Sequence, residues 1–324
     1  EIPYHYANPV TGRTALPPLP PVAQQLKDYP MPPPPAAPAR APAPAGMSPE
    51  IAAGLREIGA KIEAPKTTAL YAPLHAAIDH SAIVVRKDVS YGPHERHKLD
   101  VYEPRTRATN RPMIVFVHGG GFARGAKSTP GSFYYDNIGY WAASQGLVGV
   151  TINYRLSPEF PYPAGADDVT RVVAWLRSHA KDYGADGRRI VLWGHSAGAA
   201  HVADYLVRTA KPPVAGAVLT SGIYTPTAVW KSYYGEDESR YAQIASQQKL
   251  AAVETPLLVA WAELDPPDFV PDTEKLIAQR QANGKPLASV RLPNHSHLSE
   301  AYAVGTADQS LSGPVLEFVR GLAP

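Results

Sequence analysis

The sequence predicts an α/β protein with a mostly parallel central sheet covered by helices on both faces. Three observations carry that reading. The runs PMIVFVHGGG, LVGVTINY, RRIVLWGHS, VAGAVLTSG and TPLLVAWAELD are continuously apolar, as strands buried on both faces must be. Segments with helical spacing of apolar residues stand between them, including YYDNIGYWAASQG, GADDVTRVVAWLRSHAKDYG, AGAAHVADYLVRTA and DTEKLIAQRQANG. The chain has 324 residues, 44% of them hydrophobic, enough for one large core, and shows no internal repeat.

Taken in order, residues 1–46 hold 14 of the 35 prolines, in LPPLPPVAQQ and MPPPPAAPARAPAPAG. Proline fixes φ and removes donors, so this arm is expected to be extended, either as a spacer or as a strap gripped through Tyr4, Tyr6 and Tyr29. Residues 47–80 change character: SPEIAAGLREIGAKIEA pairs an N-cap serine with proline at the first helical position, and TALYAPLHAAI continues as a second helix. This helical segment is read as a cap over a pocket or as plain N-terminal packing. The catalytic domain then spans 81–324. It opens with a hairpin, VVRKDVSYG and HKLDVYEP, and ends with the strand ASVRLP, the loop NHSHLSE and the helix SLSGPVLEFVRGLA.

Composition narrows the function. The net charge of +2 comes from 31 basic and 29 acidic residues spread along the chain, so no basic stripe suits a nucleic acid. With no cysteine, thiolate nucleophiles, disulfides and cysteine metal sites are excluded. The histidines show no closed metal spacing and no strand leads into a GxGxxG turn, so neither metal nor other cofactor is expected. No apolar run reaches the ~18 residues that span a bilayer. Absence of cysteine and a first residue other than methionine fit a bacterial periplasmic or secreted protein, with the cytoplasm as the alternative.

The sharpest motif is IVLWGHSAGAA, in which Gly194-His195-Ser196-Ala197-Gly198 forms GxSxG between a predicted strand and a predicted helix. That context is the nucleophile elbow of the α/β-hydrolase fold, with Ser196 as nucleophile. A serine hydroxyl needs a base, an acid that orients the base, and donors for the oxyanion. In this fold the acid and the base follow the serine in that order, on loops after later strands. Asp265, at the end of PLLVAWAELD, is the candidate acid; Glu263 lies inside the strand and Asp268 beyond two prolines. The glycines of FVHGGGF follow a strand and let backbone N–H groups approach a substrate. Ala197, next after the nucleophile, supplies another N–H. For the base, His295 and His297 both fall in the loop NHSHLSE, and spacing alone leaves either open.

HGGGF, NYRLSPEFPYPAGADDV and GHSAG, in this order, resemble the hormone-sensitive-lipase-like branch of α/β-hydrolase-fold carboxylesterases. YGPHERHKLDVYEP resembles the arylformamidase-like subgroup, and the likeness covers about residues 83–322. It implies an α/β-hydrolase fold, an oxyanion hole at Gly120, Gly121 and Ala197, and a structural tie between Arg155 and Asp168. It also implies His297 as base, because there the base is followed by an apolar residue and then a small or acidic pair, as in Leu298-Ser299-Glu300. His295 becomes a neighbour that lines the site. The chain departs from the commoner pattern with His195 where aspartate often stands, and His195 is read as a satisfied buried histidine.

The expected activity is that of a serine carboxylesterase for short- to medium-chain or compact aromatic esters, with Phe122, Tyr224, Trp230, Tyr233 and His295 as substrate-binding candidates. The alternatives are arylformamidase-like amide hydrolysis, action on polymeric or polysaccharide-linked esters, and a non-catalytic binding module. The expected partner is a small-molecule ester.

Overall fold

The computed structural model describes residues 46–106 and 108–322, so the proline-rich arm lies outside the described residues except for Gly46. Two helices come first, α1 (Pro49–Ile58) and α2 (Ala64–Ala76). The Ser48 side chain accepts the N–H of Ile51, and Pro49 stands where a helix has no donor to lose. The apolar face of α1, Ile51, Ala52, Leu55 and Ile58, is buried in the main body.

Eight strands follow: β1 (Ile83–Ser90), β2 (Lys98–Pro104), β3 (Arg111–Val117), β4 (Val148–Ile152), β5 (Ala185–His195), β6 (Gly216–Thr220), β7 (Leu257–Leu264) and β8 (Leu287–Ser296). They form one sheet in the order β1-β2-β4-β3-β5-β6-β7-β8. β1 pairs antiparallel with β2, and β2 with β4; every later pairing is parallel. This is the α/β-hydrolase fold. The longer helices between and after the strands are α3 (Asp136–Ser144), α4 (Ala164–His179), α5 (Ala197–Arg208), α6 (Val270–Ala282) and α7 (Ser312–Gly321).

Strand alternation divides the apolar residues between two cores. Met113, Val115 and Val117 of β3 and Ile190 and Leu192 of β5 join Val172 of α4, Val202 of α5 and Leu276 of α6. Ile114, Phe116, Val191 and Trp193 face the other way, onto Leu55 of α1, Tyr71 of α2, Trp141 of α3 and Val315 of α7. Both faces of the central strands are therefore covered, which is why their sequences carry no polar alternation. No helix among the described residues is long and apolar enough to cross a membrane.

β8 differs from expectation. The strand ASVRLP was expected to give way to a loop at Asn294, but β8 continues to Ser296. Asn294 takes a positive φ of 60° within it, and the register against β7 shifts between Ala262 and Leu264.

Candidate active site

The nucleophile turn is built from backbone constraints. β5 ends at His195, Ser196 takes φ 55° and ψ −122°, and α5 begins at Ala197. A Cβ on Gly194 would stand 2.5 Å from the Cα of Ala199, and one on Gly198 would stand 2.0 Å from the carbonyl oxygen of Val117. Only glycine permits so close an approach of strand and helix. The N–H of Ser196 donates to the Thr220 carbonyl at 2.9 Å, which pins the turn to β6.

The glycine loop after β3 lies beside it. Gly120, Gly121 and Phe122 take φ values of 131°, 58° and 66°. A Cβ on Gly119 would stand 3.0 Å from that of Ser196. Burial lowers the proton affinity of His118 to a pKa of about 3, so its ring is neutral, and Nδ1–H donates to the Gly119 carbonyl at 2.7 Å. Below the loop, buried Asp168 accepts from the Arg155 N–H and guanidinium at 2.7–3.1 Å and stands 3.0 Å from His97 Nε2. This is the Arg155–Asp168 tie that the sequence suggests.

The acid and base are held by side chains. The Nδ1 of His297 is 2.7 Å from Asp265 Oδ1. The other oxygen of Asp265 accepts from Ser221 Oγ at 2.6 Å and from the Ala262 N–H at 2.9 Å. His195 Nε2–H donates to the carbonyl oxygen of His297 at 2.8 Å, and burial keeps the His195 ring below its ordinary pKa. His195 is thus a buried histidine with partners. Glu263 stays within β7 and accepts from Arg291 and from the N–H of Asn294.

His297 and Ser196 open on one cavity of about 500 Å³, lined also by Gly119, Gly120, Gly121 and His195. Its apolar walls are Tyr134, Tyr135, Trp230, Phe269, Leu298 and Tyr302, joined by Ile62 of the α1–α2 connection and Pro65 at the start of α2. Phe269 meets the His297 ring edge-on at 4.9 Å between centroids.

Of the five substrate-binding candidates, only Trp230 lines this cavity. His295 is a correction: it is fully buried, with its ring nitrogens on Ser299, Ser310 and Asp308. Equal spacing in a strand would put both histidines on one side, but β8 ends at Ser296, between them, and His297 lies beyond the strand. Phe122 and Tyr233 are buried beneath the loop, stacked on each other at 4.4 Å, and the Tyr233 hydroxyl meets His201. Tyr224 packs into the first core, its N–H held by Asp272. Aromatic content marked these residues as apolar but could not say which way a ring faces. The reading missed Tyr134, Tyr135, Phe269 and Tyr302; the pair of tyrosines just after the glycine loop was the one available signal. It also missed Ser221 behind the acid, and it used Glu300 only to mark the base, not as a buried neighbour of the pair.

Known proteins share the fold and parts of the sequence. Residues 99–211 match the BD-FAE family model. A kynurenine formamidase from Salmo salar is 26% identical over 249 residues, covering 72% of this chain and 81% of that protein. Esterase LipC of Mycobacterium tuberculosis is 30% identical over 164 residues, 50% of this chain and 40% of LipC. Among solved structures, a bacterial heroin esterase superposes with a TM-score of 0.64 at 23% identity, over 86% of this chain and 99% of its own. The chain is an α/β-hydrolase-fold protein with a BD-FAE family match in its central part, and its sequence is similar to those of carboxylesterases and kynurenine formamidases.

Proposed function

We propose that the protein is a serine carboxylesterase acting on short- to medium-chain or compact aromatic esters. The observation that carries this reading is the Asp265–His297 pair at 2.7 Å, with His297 and Ser196 opening on a single cavity lined by three glycines. In this mechanism His297 takes the proton of Ser196 Oγ as the oxygen attacks the ester carbonyl carbon. The N–H groups of Gly120, Gly121 and Ala197 receive the oxyanion. Collapse breaks the bond to the alcohol oxygen, which leaves with the proton from His297, and the acyl group stays on Ser196. Water, deprotonated by His297, then releases the acid and restores Ser196. Asp265 fixes the ring so that Nε2 faces the nucleophile, and it stabilises the imidazolium.

A cavity of about 500 Å³ with aromatic walls suits a compact ester better than a triglyceride. The α1–α2 connection and the start of α2 act as a small cap, since Ile62 and Pro65 form one wall of the cavity. The second reading is aryl-formamide hydrolysis by the same residues, favoured by the kynurenine formamidase among the relatives. The test is a panel of p-nitrophenyl esters of increasing chain length, aryl esters and an aryl formamide, on wild type and Ser196→Ala. Ester turnover is expected in the wild type and a fall of about 10⁴-fold or more in the variant, with unchanged circular dichroism. Formamide turnover exceeding ester turnover would select the second reading. Undiminished turnover in Ser196→Ala would remove the serine mechanism.

A further inference from the structure

Glu300 is a buried carboxyl that the serine mechanism leaves unused. It follows His297 by three residues, in the short helical turn Ser299–Tyr302, and is fully buried. Its Oε1 is 3.2 Å from His195 Nε2, and Ser221 lies beside the same carboxyl. These two neighbours have one thing in common. His195 grips the backbone carbonyl of His297, and Ser221 donates to Asp265. Glu300 therefore touches both side chains that hold the acid–base pair, one at each end.

We propose that Glu300 is a positioning residue for the base, wedged between His195 and Ser221 so that the His297 backbone and the Asp265 carboxylate keep their mutual geometry. A charged carboxylate would be poorly placed there, since it would be buried beside a second carboxylate. Burial first, and Asp265 second, raise its proton affinity well above the ordinary carboxyl range. As a neutral acid it has a proton to offer. The Ser221 oxygen, whose own hydrogen is committed to Asp265, can accept it, giving a chain of donors from Glu300 through Ser221 to Asp265. His195 Nε2–H is already donated to the His297 carbonyl, so Glu300 Oε1, 3.2 Å from that nitrogen, packs against the ring edge and limits its rotation.

The rival explanation is that Glu300 merely fills space, and two substitutions separate them. Glu300→Met keeps the volume and removes the donor; Glu300→Gln keeps both. The proposal rests on the esterase reading for its kinetic arm only. There, Glu300→Met is expected to lose on the order of 10- to 100-fold in kcat with KM little changed, and Glu300→Gln to recover most of that loss. The second arm needs no substrate: the low-field proton resonance of His297 Nδ1–H, a marker of the short bond to Asp265, should persist in Glu300→Gln and broaden or move upfield in Glu300→Met. A Met variant with wild-type kcat and resonance overturns the proposal, as does a Gln variant as impaired as Met. Should the Met variant not fold, Glu300→Asp, which withdraws the carboxyl by one methylene, is measured instead, and wild-type behaviour in both arms overturns the proposal. A wild type that turns over no ester counts against the esterase reading alone, because the resonance still reports on Glu300.

Discussion

The two halves of the site are made of different material. The nucleophile half, at the ends of β3 and β5, is shaped by backbone: glycines in close contact and positive φ at Ser196, Gly120 and Gly121. The acid–base half, at the ends of β7 and β8, is shaped by side chains: Ser221, His195 and Glu300 around Asp265 and His297. Backbone geometry of the first kind demands particular residues at fixed spacing, because any Cβ collides with main chain. Side-chain bracing of the second kind uses residues scattered between positions 195 and 300, joined only by folding. The first half is rigid by exclusion, the second by hydrogen bonding.

Substitutions can break or sharpen that contrast. The largest effect is expected in the acid–base half: His297→Ala should lower kcat by about 10⁴-fold, while His295→Ala, two residues away, should keep most of kcat and lose thermal stability. Its ring bonds to Ser299, Ser310 and Asp308 lie outside the cavity. The reverse pattern in ester kinetics and melting curves would exchange the two assignments. In the nucleophile half, a single methyl should suffice. Gly120→Ala places a Cβ 2.0 Å from the Arg124 carbonyl oxygen at φ 131°, so the loop must shift. A loss of about 10²- to 10³-fold in kcat is expected, the cost of one oxyanion donor. Wild-type kinetics in that variant would mean that the glycine loop contributes no donor.

The smallest effect concerns stability. Asp204, on α5 behind the nucleophile, is buried, and burial raises its pKa to about 7. Between the unfolded value near 4 and that value, the folded state holds a proton that the unfolded chain has lost. Stability therefore falls as pH rises across this window and levels off above it. Asp204→Asn removes the penalty, which three pKa units bound at up to about 4 kcal/mol. The variant should melt higher than wild type at pH 8 and nearly the same at pH 4, with esterase activity unaltered. A difference in melting temperature that does not vary with pH would refute the assignment.

The same contrast explains what could be read from sequence. The succession of strands along the chain, both helix layers and the elbow were visible because continuous apolar runs and GxSxG express local requirements of backbone and burial. Asp265 could be placed by chain order and His297 by resemblance, and the structure brings these two together. The direction of the His295 ring could not be foreseen, since it depends on the positive φ at Asn294 and on the register shift between β7 and β8. The cavity wall was read least well. Phe122 turns under its own loop at φ 66° to stack on Tyr233, whereas Tyr135 and Phe269, which carry no motif, reach the cavity.

Gly121 faces a ring instead of the nucleophile turn: a Cβ there would stand 3.0 Å from Trp230. That ring comes from the connection between β6 and β7 and also forms a wall of the cavity. Substrate range and loop support thus share one contact. Efforts to widen the pocket at Trp230 would loosen the loop opposite it, so variants selected for bulkier substrates should acquire compensating changes near Gly121 before they regain turnover.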